Sequence, residues 1–418
     1  MDLIHNHLVI MKQRLIAFLL PLFLFAFANE ASAYDAIVDG IYYIFSDNNA
    51  TVTYLRNGTN NTSAYSGNVV IPETVTYKGI TYTVTKVGHW AFQYCSNLQS
   101  VSLPSTVTEL GNYAFYHCDN LTSYEIPNSI TSVGMYAFSE CSGLESIVIP
   151  NSVTSIGIYA FQNCTSLASV TIPNSLTTIS NYMFTGCSGL KEVVIPNSVT
   201  LIGTKAFEKC TSLASVTIPE GVVTIEDNAF NGCSGLTSVV FPSSLKSLGA
   251  TAFSGCSSLK SVTFPDGLES IGRGAFSLCS ELTEVSIPSS VTSIGMSAFG
   301  ACNKLTIVKV DIKEPLTIQS YTFSNRTKAT LYVPRGCKAA YEEADFWKEF
   351  QSIVEFFYPD INKDGDITVA DVIALVDIIL DLDDAEPYMY DHECADVNGD
   401  GNIDIADVTA LVNLILEL

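Results

Sequence analysis

Apolar and polar positions recur along the middle of the chain with a period of 23 residues. The unit can be written Leu-x-x-Val-x-Ile-Pro-x-x-Val-Thr-x-Ile-Gly-x-x-Ala-Phe-x-x-Cys. Its Phe occupies ten equally spaced positions: Phe92, Phe115, Phe138, Phe161, Phe184, Phe207, Phe230, Phe253, Phe276 and Phe299. In such repeat architectures, each unit buries its apolar face against the next unit. The pattern therefore predicts a solenoid with one repeat in each turn.

Each repeat predicts two short extended segments. Leu-x-x-Val-x-Ile has the period of two that is expected of a strand, and the next residue, Pro, ends that strand because it donates no amide hydrogen. Val-Thr-x-Ile predicts a second extended segment, after which a Gly turns the chain, although Ser180 and Glu226 interrupt this Gly column. We expect a mainly β fold with parallel strands about 4.8 Å apart.

The N-terminus has the features of a secretory signal. Lys12 and Arg14 precede the apolar run 15–27, which is too short for a comfortable membrane span. Ala31-Ser32-Ala33 then fits a signal peptidase site. We expect residues 1–33 to be a signal peptide and the protein to be secreted without a transmembrane segment.

Two segments near the C-terminus match each other at a spacing of 36 residues. Each has Gly at position 6 and oxygen-bearing side chains at the positions that suit a hard cation with six or seven ligands. The predicted ligands are Asp360, Asn362, Asp364, Asp366, Thr368 and Asp371 in the first segment and Asp396, Asn398, Asp400, Asn402, Asp404 and Asp407 in the second, with Asp366 and Asn402 acting through their backbone carbonyls. The sequence predicts two Ca²⁺ sites, and because crowded carboxylates repel each other, the tail is expected to fold only with calcium.

Ten of the twelve Cys residues occupy one position of the repeat, from Cys95 to Cys302. Cys at equivalent positions of a solenoid forms a column in which each thiol packs as a small apolar group. Neighbours about 4.8 Å apart lie within the Cα range of a disulfide, but their parallel side chains point in the wrong direction. A reduced, buried column is the favoured interpretation, and pairing of some members is the alternative.

A second column is aromatic in the N-terminal half of the repeats only. It consists of Trp90, Tyr113, Tyr136, Tyr159 and Tyr182, and then continues as Lys205, Asn228, Thr251, Gly274 and Ser297. Aromatic side chains stack on sugar rings and anchor protein interfaces, so this aromatic strip is a candidate ligand site. The alternative is a packing ladder that covers the edge of the core.

The repeats, over about Val70 to Glu355, resemble the BspA-like leucine-rich repeats of bacterial surface proteins. The resemblance implies a right-handed leucine-rich-repeat solenoid over 86–355, preceded by a β cap over 34–85. Its closing segment would contain a last strand at Leu331-Tyr332-Val333-Pro334 and a helix from Cys337 to Phe350. Members are extracellular and are linked to adhesion, host matrix binding or glycan binding.

The tail, from about Pro359 to Leu418, resembles a type I dockerin, because each loop lacks the incoming helix of an EF-hand and has Asp at position 12. The resemblance implies a small all-α calcium-binding domain, assigned to 356–418, that docks onto a cohesin in a cellulosome-like assembly. In that family, positions 10 and 11 of each loop help choose the cohesin. These partner-binding positions are Val369, Ala370, Ile405 and Ala406, which replace the familiar Ser-Thr.

Composition argues against several other functions. The net charge is -23 and there is no basic stripe, which disfavours binding to nucleic acid. Beyond the signal, His89, His117 and His392 are the only His residues, and none belongs to a catalytic or metal motif. We expect a non-catalytic binding protein whose solenoid recognises a host or plant surface protein or a polysaccharide. The alternatives are a structural spacer without its own ligand and, less favoured, a polysaccharide-acting enzyme.

Overall fold

The computed structural model describes residues 34–54, 64–356, 359–362, 367–380 and 394–417. The expected signal peptide, residues 1–33, lies outside this part. The chain divides into two compact units, Met1–Leu176 with Tyr182–Leu190, and Thr177–Asn181 with Lys191–Leu418. Most strands in the described part are only two or three residues long, as expected when each repeat supplies two short extended segments.

The first unit begins with six strands of the N-terminal cap. They are β1 (Ala36–Val38), β2 (Ile41–Ser46), β3 (Asn49–Val52), β4 (Gly67–Val70), β5 (Thr74–Tyr77) and β6 (Ile80–Val87). The pairs β1–β2, β2–β3 and β5–β6 are antiparallel, whereas β3 pairs with β6 in parallel. The cap thus changes the direction of pairing from hairpins to the parallel ladders of the repeats.

The repeats of the first unit form parallel ladders. The strands are β7 (Leu98–Ser102), β8 (Glu109–Leu110), β9 (Ser123–Glu125), β10 (Ser132–Val133), β11 (Ser146–Val148), β12 (Ser155–Ile156) and β13 (Ser169–Thr171). β8, β10 and β12 extend the sheet that contains β6, and β9, β11 and β13 form another. Ser146 pairs with Ser123 on one side and Ser169 on the other, so the register advances by one repeat per turn.

The second unit continues the same repeat. Its strands are β14 (Thr178–Ile179), β15 (Glu192–Val194), β16 (Leu201–Ile202), β17 (Ser215–Thr217), β18 (Thr224–Ile225), β19 (Ser238–Val240), β20 (Ser247–Leu248), β21 (Ser261–Thr263), β22 (Ser270–Ile271), β23 (Glu284–Ile287), β24 (Ser293–Ile294), β25 (Ile307–Val310), β26 (Thr330–Pro334) and β27 (Ser352–Phe356). The even-numbered strands β14 to β24 form one parallel sheet, and β21, β23, β25, β26 and β27 form another. The predicted mainly β solenoid is confirmed.

The repeated Phe residues are fully buried and stack on one another within each unit. Ring centroids are 5.0–5.6 Å apart from Phe92 to Phe184 in the first unit. The same range separates the rings from Phe207 to Phe323 in the second unit. Because each ring covers the next, the apolar core extends along the repeats.

The ten repeated Cys residues are buried and form no disulfides, as the favoured interpretation predicted. In most repeats, the thiol donates a hydrogen bond to the backbone oxygen of the Phe in the preceding repeat, for example from Cys141 Sγ to Phe115 O at 3.0 Å and from Cys233 Sγ to Phe207 O at 3.1 Å. Burial raises the pKa of the thiols of Cys141 and Cys233 to about 12. These thiols therefore act as protonated donors that satisfy turn carbonyls.

The Gly column marks places where successive turns approach closely. A Cβ added at Gly111 would lie 2.6 Å from the carbonyl carbon of Gly88, and one added at Gly272 would lie 2.5 Å from that of Gly249. Real Cβ atoms do not approach backbone this closely, so a side chain at Gly111 or Gly272 would force the neighbouring turn to shift.

The closing segment differs from the expectation. A 3₁₀ helix covers Arg326–Lys328 and α1 covers only Lys338–Glu343, so the helix predicted from Cys337 to Phe350 was too long. The chain becomes extended at Ala344. This allows Trp347 to bury its ring and donate from Nε1 to Leu316 O at 2.8 Å. β27 then pairs with β26, so the predicted strand at Leu331 to Pro334 is not the last strand.

The tail contains α2 (Val369–Ile379) and α3 (Ile405–Glu417). Its small core is made by Ile361, Ala374, Leu375, Ala395 and Leu411, all buried. Leu375 and Leu411 are equivalent residues of the two halves, and so are the partly buried Ile367 and Ile403. The 36-residue similarity seen in the sequence therefore places equivalent apolar side chains in one shared core.

Candidate calcium loops and aromatic strip

The second candidate calcium loop, residues 396–407, turns its oxygens toward its own backbone amides. Asp396 accepts hydrogen bonds from Gly399 N at 2.8 Å and Gly401 N at 3.1 Å. Asp400 Oδ1 accepts from Asn402 N at 2.8 Å, and this amide lowers the pKa of Asp400. These hydrogen bonds from backbone amides hold the acidic side chains in a turn without a cation.

The Asp at position 12 of each loop is buried and anchors the loop to its helix. In the first loop, residues 360–371, Asp371 Oδ1 accepts from Ile361 N at 2.8 Å and Oδ2 accepts from Thr368 N at 2.8 Å. In the second loop, Asp407 Oδ1 accepts from Asn398 N at 3.0 Å and Oδ2 accepts from Asp404 N at 2.8 Å. The sequence argument treated these residues only as ligands, and their anchoring role was missed because hydrogen bonds to amides leave no sequence signature.

The donor set of each loop fits calcium. All predicted ligands are carboxylate, amide, hydroxyl or backbone oxygens, which a hard cation prefers, and no imidazole or thiol is among them. Within the described part, no three His, Cys, Asp or Glu side chains converge as a ready metal site. Asp364 and Asp366 lie outside the described residues. Calcium would supply the positive charge that gathers the remaining carboxylates around one point.

The predicted partner-binding residues lie at the starts of the two helices, on the surface. Val369 and Ile405 expose 65% and 71% of their area, and Ala370 and Ala406 are exposed as well. Leu380 and Leu416, which are also equivalent at a spacing of 36, are 58% and 79% exposed. Each half of the tail thus carries an apolar stripe that its own core does not cover.

The residues of the aromatic strip stack face to face within the first unit. From Trp90 to Tyr182, successive centroids are 6.3, 4.7, 4.5 and 4.3 Å apart, and ring planes differ by 21° or less. All five side chains are half-buried. The faces of the inner rings are covered by their neighbours, so the edges and hydroxyl groups remain for solvent or a ligand.

The strip occupies strained backbone. Its five residues have φ between 55° and 61°, in the left-handed region, where a bulky side chain costs about 1–2 kcal/mol. The same position is Gly274 in the second unit, which adopts φ 62° without that cost. Desolvation raises the pKa of Tyr113 and Tyr136. Five bulky aromatic residues in succession at a left-handed backbone position call for a stacking or a binding role.

The stretch of sequence that supplies the strip contains no Lys or Arg, which the sequence argument missed, although His89 contacts Trp90 with ring centroids 5.7 Å apart. No Lys or Arg occurs between Lys86 and Lys191, a stretch that contains five acidic residues: Glu109, Asp119, Glu125, Glu140 and Glu145. Tyr116, beside the strip, contacts Tyr113 and Tyr94 edge to face. Burial, with Tyr94 and Glu140 nearby, raises the pKa of Tyr116 to about 12. A simple count of charge along the repeats would have found this asymmetry.

Comparisons with known families and structures agree with both halves of this description. The sequence matches the BspA type leucine rich repeat region, in 6 copies, over residues 72–191, 133–260 and 223–348. It matches the dockerin type I domain over residues 358–416. No curated protein sequence matches the chain. None of the helices in the described ranges has the length and hydropathy needed to cross a membrane.

One solved structure with a TM-score above 0.5 supports the same fold, and two others are similar in sequence. A leucine-rich repeat protein of Bacteroides ovatus is 27% identical with a TM-score of 0.62, over 77% of this chain and 88% of that chain. A leucine rich cell surface protein of Faecalibacterium prausnitzii is 26% identical with a TM-score of 0.43, over 79% and 96% of the two chains. The T. pallidum leucine rich repeat protein is 28% identical with a TM-score of 0.38, over 54% and 90%.

These families have a common character. Both are non-catalytic binding modules that are typically extracellular, type I dockerins typically bind calcium, and a dockerin implies a cohesin partner. The repeat match covers more than half of the chain, in agreement with the 23-residue parallel turns of the fold. The chain therefore belongs to the BspA type leucine-rich repeat family and carries a C-terminal dockerin type I domain.

Proposed function

We propose that this is a secreted, non-catalytic recognition protein whose tail, residues 356–418, docks calcium-dependently onto a cohesin while its solenoid binds a second partner. The observation that supports the docking half is the pair of uncovered apolar stripes, which begin at Val369 and Ile405. Apolar side chains that a domain leaves exposed in equivalent positions suit a protein partner. Calcium would order both loops and so fix the helices that carry the stripes.

The two-fold similarity gives this docking surface two equivalent versions. Val369 with Leu380 and Ile405 with Leu416 are related by the 36-residue spacing, and all four side chains are exposed. A cohesin that recognises one stripe would meet nearly the same side chains on the other. We therefore propose that the tail docks in either of two orientations.

Binding of the full chain to purified type I cohesins, with calcium and with a chelator, tests the docking half. Val369→Asp combined with Ile405→Asp places a charge in each stripe and is expected to weaken capture at least about 100-fold, because two interface centres lose apolar contact. Asn413→Asp adds a charge at an exposed helical position and serves as the control. Equal capture by the double variant and the control would refute docking through these stripes.

For the solenoid, a protein partner fits the aromatic strip better than a sugar does. A sugar ring stacks on an open aromatic face, whereas the inner faces of this strip are covered by neighbouring rings. Ring edges and phenol groups already held in place are the contacts that Tyr-rich protein interfaces use, at a small cost in conformational entropy. The stretch between Lys86 and Lys191 carries five acidic residues and no Lys or Arg, and this excess of negative charge favours a basic partner surface.

Tyr136→Gly tests this half without adding strain, because Gly occupies the equivalent position at Gly274. The variant is compared on arrays of extracellular matrix proteins and glycans, with Thr251→Gly, from the same column, as the control. Loss of protein binding in the Tyr136 variant alone supports the proposal. If the unchanged chain bound only glycans, the polysaccharide alternative would replace it, and binding to neither class would favour the spacer role.

A further inference from the structure

A side chain of the closing segment of the solenoid reaches into the second calcium loop. Arg335 follows β26, and its Nη1 donates a hydrogen bond to the backbone oxygen of Asp396 at 2.5 Å. Its Nη2 lies 3.6 Å from Asp396 Oδ2. Asp396 is the first residue of that loop and stands 61 positions later in the chain. One guanidinium group therefore joins two separately built parts of the second unit.

Gly399 makes room for this guanidinium group. It has φ +78°, and a Cβ added there would lie 1.9 Å from Arg335 Nη2. The equivalent residue of the first loop, 36 positions earlier, is Lys363. The first loop thus carries its own cationic residue at position 4, whereas the second loop has Gly at that position and receives a cation from outside the tail.

The covalent connection between the two parts is short. β27 ends at Phe356, whose ring lies 4.2 Å below Lys309 Nζ, and Pro359 is already buried. A contact between tethered parts forms at a high effective concentration, so a single charge-assisted hydrogen bond can keep it populated. The chain connection and the Arg335 contact give the tail two points of attachment at different places.

We propose that Arg335 pins the second calcium loop to the closing segment, so that the solenoid carries the tail as an oriented arm. A single tether would leave the tail free to rotate, whereas two separate attachments remove that freedom. The apolar stripes of the tail would then have a fixed orientation relative to β26. This attachment concerns the chain alone and holds whether or not a cohesin docks.

Distances between two spin labels in the full chain, with calcium present, test the proposal. The labels are placed at the exposed positions Lys260→Cys and Asn413→Cys, with Cys337 and Cys394 replaced by Ser. The repeated thiols are buried, so they do not take up label. The otherwise unchanged chain is expected to give one narrow distance distribution. A broad distribution in this chain would overturn the proposal.

Two variants separate the Arg335 contact from general damage. Arg335→Gln removes the cation, and Gly399→Lys copies the residue of the first loop and excludes the guanidinium group. Both are expected to broaden the distribution at least about twofold, while a calcium titration still shows two bound ions. Arg273→Gln removes an exposed guanidinium group elsewhere in the same unit and should change nothing. Distributions as narrow as before in both Arg335→Gln and Gly399→Lys would show that the tail is held by other contacts.

Discussion

The repeats and the tail are stabilised by opposite kinds of interior. Each repeat buries Phe, Leu and a thiol, and its turn carbonyls are satisfied by amides and, in most repeats, thiols of the neighbouring repeat. Among the described residues of the tail, five apolar side chains are buried with partly buried ones packed against them, and two carboxylates, Asp371 and Asp407, are buried as well. The repeats therefore need no cofactor to close their interior, whereas the tail gathers negative charge that a cation would balance.

This difference explains how one chain can combine repeats that stay folded without calcium and a tail whose folding depends on calcium. A solenoid is stable through contacts between neighbouring repeats, so it can present a surface under any ionic condition. A small domain with a core this limited depends on an additional source of stability, for which metal binding is a common solution. We propose that calcium controls whether the protein docks but does not control the shape of its repeats.

Removing calcium should have the largest effect on stability, and it should destabilise the tail without destabilising the repeats. We expect a chelator to unfold the tail, including α2 and α3, because uncompensated carboxylates repel each other, and to leave the repeats folded. Scanning calorimetry should show one transition that moves with calcium concentration and another that does not. A single calcium-sensitive transition for the whole chain would contradict the claim that the tail and the repeats unfold independently.

Alkaline pH should act on the repeats instead. Burial raises the pKa of Cys141 and Cys233 from 9.0 to about 12, so the folded state binds these protons more tightly than the unfolded state. The stability they contribute is fully present below pH about 9 and is lost as the pH rises toward about 12. Circular dichroism should show the repeats unfolding in this range while calcium remains bound. Strands that persist well above pH 12 would refute this account.

Truncating a Phe of the aromatic core should lower the stability of the repeats more than a substitution at their surface. Phe138 is fully buried between the rings of Phe115 and Phe161. Phe138→Ala should lower the free energy of unfolding of the repeats by about 3–5 kcal/mol, because it leaves a cavity in a stacked column. Leu411→Ala, at a buried position of the tail, is the matched control and should affect only the calcium-dependent transition. Denaturant unfolding followed in both parts distinguishes the two.

A smaller effect is expected from neutralising one anchor of the tail. Asp407→Asn keeps the shape of the side chain but removes a charge that would bind calcium, and it weakens the acceptor of Asn398 N and Asp404 N. We expect about a 10–100-fold loss of calcium affinity at one of the two sites, with the other site and the repeats unchanged. Isothermal titration would resolve the two sites. Unchanged affinity at both would show that position 12 serves the backbone alone.

The sequence predicted the fold where its pattern repeats. Ten Phe residues at one spacing predicted the stacked turns, and the 36-residue match predicted two equivalent segments in the tail. The closing segment was predicted less well, because a segment that occurs once has no period to locate its strands. The helix over Lys338–Glu343 is shorter than expected and β27 was missed for this reason.

The sequence pattern could not predict contacts between side chains that are distant in the chain. The strip was visible as a column, but its left-handed backbone and its covered ring faces depend on how turns stack in three dimensions. The contact of Arg335 with Asp396 joins a segment that occurs once to a loop 61 residues away, so no spacing could indicate it. Local pattern predicts elements and their faces, whereas such pairings depend on packing between elements.

Hydrogen exchange of the full chain, with calcium and with a chelator, tests the central claim most directly. We predict that the amides of α2 and α3 are protected only with calcium, while those of the repeat strands exchange equally slowly in both conditions. Protection of α2 and α3 in the chelator would show that the tail folds without its ions. Loss of protection in the repeats would show that calcium supports the whole molecule, and either result would contradict the account.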